Sequence, residues 1–148
     1  YMHTDITRRN LKEQGYLYHM DDYSDDFPYW ADVEMKDGST KPIVILPYAI
    51  DSNDMKFWLS PSFTPDMWLS YAKNTFNWLL KEAHDEGARM MSLGLHLRII
   101  GRPGRIDAFQ HFLDHVKAHK DVWVATREEI AQLFAANVKP GVSSCSPS

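Results

Sequence analysis

The 148-residue sequence holds a single cysteine, Cys145, set in the Ser/Pro-rich stretch Ser143 to Ser148. One thiol excludes a disulfide framework and a cysteine-based metal site, and a reducing, cytoplasmic compartment is the default expectation. Long apolar runs are missing too. The longest, Ile43 to Ile50, is broken by Pro47 and falls far short of the roughly 20 residues that a membrane helix needs, so no membrane partner is expected. Positive charge is sparse, with 16 Lys and Arg against 20 Asp and Glu and a formal charge of −4. Without a basic cluster there is no footprint for a phosphate backbone, and no nucleic-acid partner is expected. The sequence also lacks a phosphate-binding Gly-rich loop, a Gly-x-Ser-x-Gly elbow and a Cys/His nucleophile pair, which leaves nucleotide use without support. It opens on Tyr1-Met2-His3-Thr4, with neither an initiator Met nor a leader, as expected of a piece of a longer chain.

What is present suffices for a core. Hydrophobic residues make up 44% and aromatics 13% of the chain, far more than a disordered segment carries, and the length suits one domain. Thr4 to Gln14 reads as a short helix stopped by Gly15, and Tyr16 to Met20 as a short strand. The acidic segment Asp21 to Asp26 and the following Phe27-Pro28-Tyr29-Trp30 read as loop. Val33 to Lys36, Asp37-Gly38 and Ile43 to Leu46 read as strand, turn, strand. Thr64 as cap, Pro65 at the first helical position, apolar residues from Trp68 to Ala83 at helical spacing, and Gly87 as the stop predict the longest helix. Met90 to His96 and Val122 to Ala125 are expected strands, and Ile106 to Ala118 an expected helix on a stripe of Phe109, Phe112, Leu113 and Val116. Thr126-Arg127-Glu128-Glu129 is a capping box that opens a helix over Ile130 to Ala136. Alternating strands and helices predict an α/β fold of βαβ units, but about four of each make only part of a closed barrel. The expected architecture is the C-terminal portion of a larger α/β barrel.

In parallel α/β folds ligands meet the C-terminal ends of the strands. That rule selects Asp21 and Asp22, then Asp51, Asn53 and Asp54, then His96, all expected on one rim and suited to general acid/base chemistry. His96 precedes the loop Leu97 to Arg105, whose three Arg, among them Arg102, suit a carbonyl or carboxylate. The aromatics Phe27, Tyr29 and Trp30, with Phe57 and Trp58, form a candidate pocket lining. His111, His115 and His119 are spaced four apart on one expected helix. They lie opposite the apolar stripe and are expected to be solvated, with adventitious metal affinity at most.

The segments Asp21-Asp22-Tyr23-Ser24-Asp25-Asp26-Phe27-Pro28-Tyr29-Trp30, Pro47-Tyr48-Ala49-Ile50-Asp51-Ser52-Asn53-Asp54-Met55 and Met91 to Arg105 resemble the polysaccharide deacetylase (NodB-homology) family. The likeness is to its branch of allantoinases and chitin- or peptidoglycan-deacetylase-like proteins. Val122 to Arg127 fits the same branch, and the resemblance runs to about Phe134. It implies the C-terminal portion of a distorted, TIM-barrel-related (β/α) barrel that hydrolyses a C–N amide bond. Residues 1–136 would be part of that catalytic domain and 137–148 a disordered tail. In metal-dependent members an Asp and a His-x-x-x-His pair hold a zinc-like divalent ion, a second Asp is the base, and a late His protonates the leaving amine. His96 matches the late His, and Asp21 the mid-chain Asp that steers it. Asp25, Asp26, Trp30, Asn53, Asp54 and Arg102 are expected to bind substrate. The metal motifs have no match and belong upstream of Tyr1, so no cofactor is expected in this chain. Asp22 and Leu97 depart from common family residues.

The expected substrate is an N-acetylated sugar or a small ureide, and the expected partner is the N-terminal remainder of the same domain, with a homo-oligomer compatible. On its own the 148-residue piece is expected to be inactive. Two alternatives stand beside this reading: a metal-free allantoinase-like ureide hydrolase, and a non-catalytic carbohydrate-binding or interaction module.

Overall fold

A computed structural model describes residues 4–141. In chain order its elements are α1 (Asp5–Glu13), β1 (Tyr18–His19), β2 (Tyr29–Glu34), β3 (Thr40–Ile45), a 3-10 turn (Asp54–Phe57), α2 (Pro65–Glu86), α3 (Leu97–Ile100), α4 (Ile106–Lys117) and α5 (Arg127–Asn137). They divide into two compact units, one formed by the residues up to Tyr48 and those from Ala125 onward, the other by Ala49–Val124.

The first unit is built on a three-stranded sheet in the order β1-β3-β2. Ile43, Val44 and Ile45 are completely buried, as befits the β-branched residues of a central strand covered on both faces. β1 runs parallel to β3, with His19 opposite Ile45, and β2 runs antiparallel to it, with Trp30 opposite Val44 and Glu34 opposite Thr40. The hairpin between β2 and β3 closes at Met35 to Ser39, where Gly38 takes a φ of 78° that a side chain would disfavour. Pro42 is tolerated because it pairs with Asp32 of β2, while β1 meets β3 only at Val44 and Ile45. α1 starts on the Thr4 cap, whose hydroxyl accepts the Thr7 N–H. The Arg9 Nε of α1 donates to the Glu34 carbonyl at 2.7 Å. α5 opens with the capping box of Thr126 and Glu129 and sets Phe134 against Phe27 and Trp30.

The second unit is helical. Trp68, Ala72 and Phe76 recur every four residues on α2 and are buried with Phe57, Ile99, Ile100, Ala108 and Phe112, the stripe that an amphipathic helix presents to a core. Thr64 caps α2 and Pro65 begins it.

Several expectations are corrected. Met90 to His96 and Val122 to Ala125 are not strands. A ladder needs a paired neighbour, and the second unit has no strand among its described residues. Gly94 gives its carbonyl to the Asp54 N–H at 3.0 Å, and Ser92 gives its carbonyl to the Ser52 hydroxyl at 3.4 Å. Tyr29 and Trp30, expected in a loop, begin β2, and the sheet is mixed rather than wholly parallel. The short helices at Asp54–Phe57 and Leu97–Ile100 were not foreseen. Of the expected tail, Asn137 ends α5 and Val138 caps it, its carbonyl taking the Trp30 indole N–H at 2.8 Å. The rest of that tail from residue 142, with Cys145, lies outside the described residues.

Candidate active site

The second unit brings Asp54 and His96 together across 42 positions of sequence. Asp54 is completely buried, and its carboxylate is fully engaged. Oδ1 meets His96 Nδ1 at 2.7 Å, and Oδ2 accepts the backbone N–H of His96 at 2.7 Å and that of Ile100 at 3.2 Å. A carboxylate accepts, so Nδ1 carries the proton it donates and Nε2 is the ring nitrogen left for chemistry. His96 is the N-cap position of α3 and provides no capping bond of its own. Asp54 supplies that cap from a distant loop, which locks the imidazole and its backbone with one side chain. The His96 side chain remains 34% exposed beside its buried partner.

The other expected site residues are placed as follows. Asn53 is buried and caps the 3-10 turn, its side-chain oxygen accepting the Met55 N–H at 2.8 Å. Arg102 is exposed in the turn after α3. Beside it Arg105 lies over the Phe57 ring at 4.8 Å, and Arg98 over Trp58 at 5.8 Å. In the first unit, Asp21 accepts from the Tyr23 hydroxyl at 3.2 Å. Asp25 and Asp26 are exposed, with Asp25 accepting the Asp26 N–H at 2.8 Å. Trp30 directs its indole N–H to Val138 and its ring to Phe134.

The carboxylate bonded to His96 is Asp54, while Asp21 lies in the first unit against Tyr23. Asp54 has no exposed surface, and each of its oxygens already accepts at least one hydrogen bond.

The histidine row also differs from expectation. His115 Nε2 donates to the Asn77 side-chain oxygen at 2.7 Å, and the ring packs edge-on against Phe76 and His119, with ring centroids 5.4 and 5.1 Å away. His119 sits 5.1 Å from Phe76 as well. These two rings are half-buried at the α2–α4 contact, while His111 alone is exposed, paired with Asp107 at 3.3 Å. Burial lowers the His115 pKa below its usual value, helped by the neighbouring His119 and Lys73.

Among the described residues no group of three or more His, Cys, Asp or Glu is placed to hold a metal ion. Together with the hydrogen-bonded oxygens of Asp54, this means that the described residues do not fit the divalent ion the resemblance implies. No helix among them is long and apolar enough to cross a membrane.

A buried Asp bonded to a half-exposed His at the start of a helical turn is an arrangement able to hold and pass a proton. Comparisons with known proteins make it specific. A putative polysaccharide deacetylase of Schizosaccharomyces pombe is 42% identical over 121 residues, covering 78% of this chain and 38% of that protein. Puue allantoinase superposes with a TM-score of 0.81 at 38% identity, over 92% of this chain and 44% of its own. A probable polysaccharide deacetylase from Pseudomonas aeruginosa PAO1 gives 0.80 at 36% identity, over 90% and 43%. No protein-family model matches. The chain belongs to the polysaccharide deacetylase family and carries part of its distorted (β/α) barrel. It spans less than half the length of these relatives.

Proposed function

We propose that this chain is the C-terminal part of a hydrolase that cleaves a C–N amide bond, with His96 as the group that passes a proton to the departing nitrogen. The observation that supports this best is the buried Asp54 carboxylate on His96 Nδ1 at 2.7 Å. It fixes the tautomer, aims Nε2 outward, and stabilises the imidazolium whenever the ring holds both protons. In the reaction, water adds to the amide carbonyl and gives a proton to a base in the remainder of the domain. The C–N bond then breaks as the doubly protonated His96 gives its Nε2 proton to the nitrogen, leaving an amine and a carboxylic acid that ionises. The N-terminal remainder of the domain is the partner that completes the barrel, and any ligands for a metal ion lie there.

The substrate is an N-acetylated sugar or a cyclic ureide. The deacetylase relatives favour the first and the allantoinase the second. Asp25, Asp26, Trp30 and Arg102 remain proposed substrate contacts. The test is His96→Ala in the complete domain, measured for acetate release from chitin oligomers and for ring opening of allantoin. A fall in kcat of about 10²–10⁴-fold on one substrate, with KM within a few-fold, is the expected result. An unchanged kcat would refute the acid role.

A further inference from the structure

Asp54 meets His96 only while its own loop is held in register. Ser52, Asn53 and Asp54 are three successive polar residues, all buried, an arrangement that is costly unless each group is paired. The Asp54 N–H bonds to the Gly94 carbonyl at 3.0 Å, the Asn53 side chain takes the Met55 N–H at 2.8 Å, and the Ser52 hydroxyl reaches the Ser92 carbonyl at 3.4 Å. The Ser52 carbonyl accepts the indole N–H of Trp68 at 3.2 Å in a fully buried bond.

Trp68 stands in the first turn of α2, 1% exposed, with its ring 6.2 Å from Phe57 and 6.3 Å from Phe112. Apolar packing there needs only a large ring. A buried N–H aimed at the loop needs a tryptophan, because neither Phe nor Leu offers a donor. The bond ties the longest helix of the unit to the loop two residues before Asp54. A displacement of that loop moves the carboxylate relative to both the imidazole and the N–H groups of α3.

We propose that Trp68 is a positioning residue for the proton-transfer pair, acting through the Ser52 carbonyl to hold Asp54 on His96. The proposal rests on the His96–Asp54 reading. Because a misplacement of about 1 Å can cost up to ~10²-fold in rate, loss of the indole N–H acts on turnover rather than on substrate binding.

The test compares Trp68→Phe, Phe76→Leu and Asp54→Asn in the complete domain. Trp68→Phe is expected to lower kcat by about 5–50-fold with KM within about twofold, and to shift the downfield proton resonance of His96 Nδ1–H. Phe76→Leu, a packing change on the same helix, is expected to lower the melting temperature while leaving kcat and that resonance unchanged. A Trp68→Phe variant that only melts earlier, with kcat and the resonance intact, overturns the proposal. If Trp68→Phe does not fold, 3-benzothienyl-alanine at position 68 keeps the ring shape and removes the donor, and the same two readouts decide. Full activity in Asp54→Asn overturns the pair reading and this proposal with it. A dead Asp54→Asn beside a fully active Trp68→Phe overturns this proposal alone.

Discussion

Each of the two units buries one carboxylate near a strand end or loop, and the two are held differently. Asp22 in the first unit is 8% exposed and meets the Arg8 guanidinium at 2.8 Å and the Ser24 N–H at 2.9 Å. Asp54 in the second is 0% exposed and meets an imidazole and two backbone N–H groups. Burial pushes the Asp22 carboxyl up, but hydrogen bonds from Ser24 and Tyr29 and the Arg8 charge outweigh it and hold it below its usual value. A guanidinium never releases its proton, so Asp22 is a fixed anchor between α1 and the loop after β1. An imidazole can both take and give a proton, so Asp54 sits beside a group that can do chemistry. The partner, more than the depth of burial, separates an anchor from a working group.

The largest effect tests whether this chain suffices. Both carboxylates and His96 lie within it, yet the 148-residue chain alone is expected to give no measurable hydrolysis of chitin oligomers or allantoin, with turnover returning once the remainder of the domain is joined to it. Robust turnover by the isolated chain would break the reading of it as a part. Next in size, Asp54→Asn in the complete domain is expected to lower kcat by about 10²–10⁴-fold, the range of a lost proton-transfer contribution, whereas Asp22→Asn leaves kcat per folded molecule unchanged. Equal losses in both variants would erase the distinction.

Asp22→Asn should act on stability instead, by about 1–3 kcal/mol in urea unfolding at pH 7. The sign of its pH dependence follows from the lowered native pKa. Its contribution is complete above the ordinary carboxylate value of 3.8 and is lost as pH falls from there through the lower native value. The gap between parent and variant is therefore flat from neutral pH down to about 5 and closes below about 4. The smallest effect belongs to His115. Its native pKa is lowered, so the unfolded chain takes up the proton first and stability falls as pH drops below the ordinary value of 6.5. His115→Ala is expected to shrink the difference in melting temperature between pH 7.5 and 5.5 by about 1–3 °C, while costing a little stability at the higher pH through lost contact with Phe76 and Asn77.

The parts legible in the sequence are those decided by near neighbours. Thr64-Pro65 opens α2, Gly87 follows its end, Thr126 and Glu129 cap α5, and Asp37-Gly38 turns the hairpin. The stretch Met90 to His96 looks like a strand in isolation, but pairing is a property of two segments, and its alternation carries no information about a missing partner. His96 stood out by its place after an apolar run. Its partner did not, because Asp51, Asn53 and Asp54 look alike in a loop, and only burial separates Asp54 from the exposed Asp51. The apolar Met55 and Phe57 beside Asp54 are the one local hint that this carboxylate turns inward. The burial of the histidine row is not legible in its spacing, because α4 packs on α2 through a broader face than its four-residue stripe implies, which draws in His115 and, just past the helix end, His119.

The cap that Asp54 places on α3 also bears on redesign. The helical turn after His96 borrows its N-terminal hydrogen-bond acceptor from a segment 42 residues earlier, so the two stretches form one transferable unit. Grafting Leu95 to Gly101 alone into another scaffold would carry over a histidine with an uncapped turn and no fixed tautomer. A graft that keeps its geometry must bring Ser52 to Phe57 as well, and any insertion between Asn53 and Asp54, or between His96 and Ile100, changes both segments at once. The exposed tip at Asp37 and Gly38, where no atom crowds the glycine, is the place where extra sequence can be added without touching that pair.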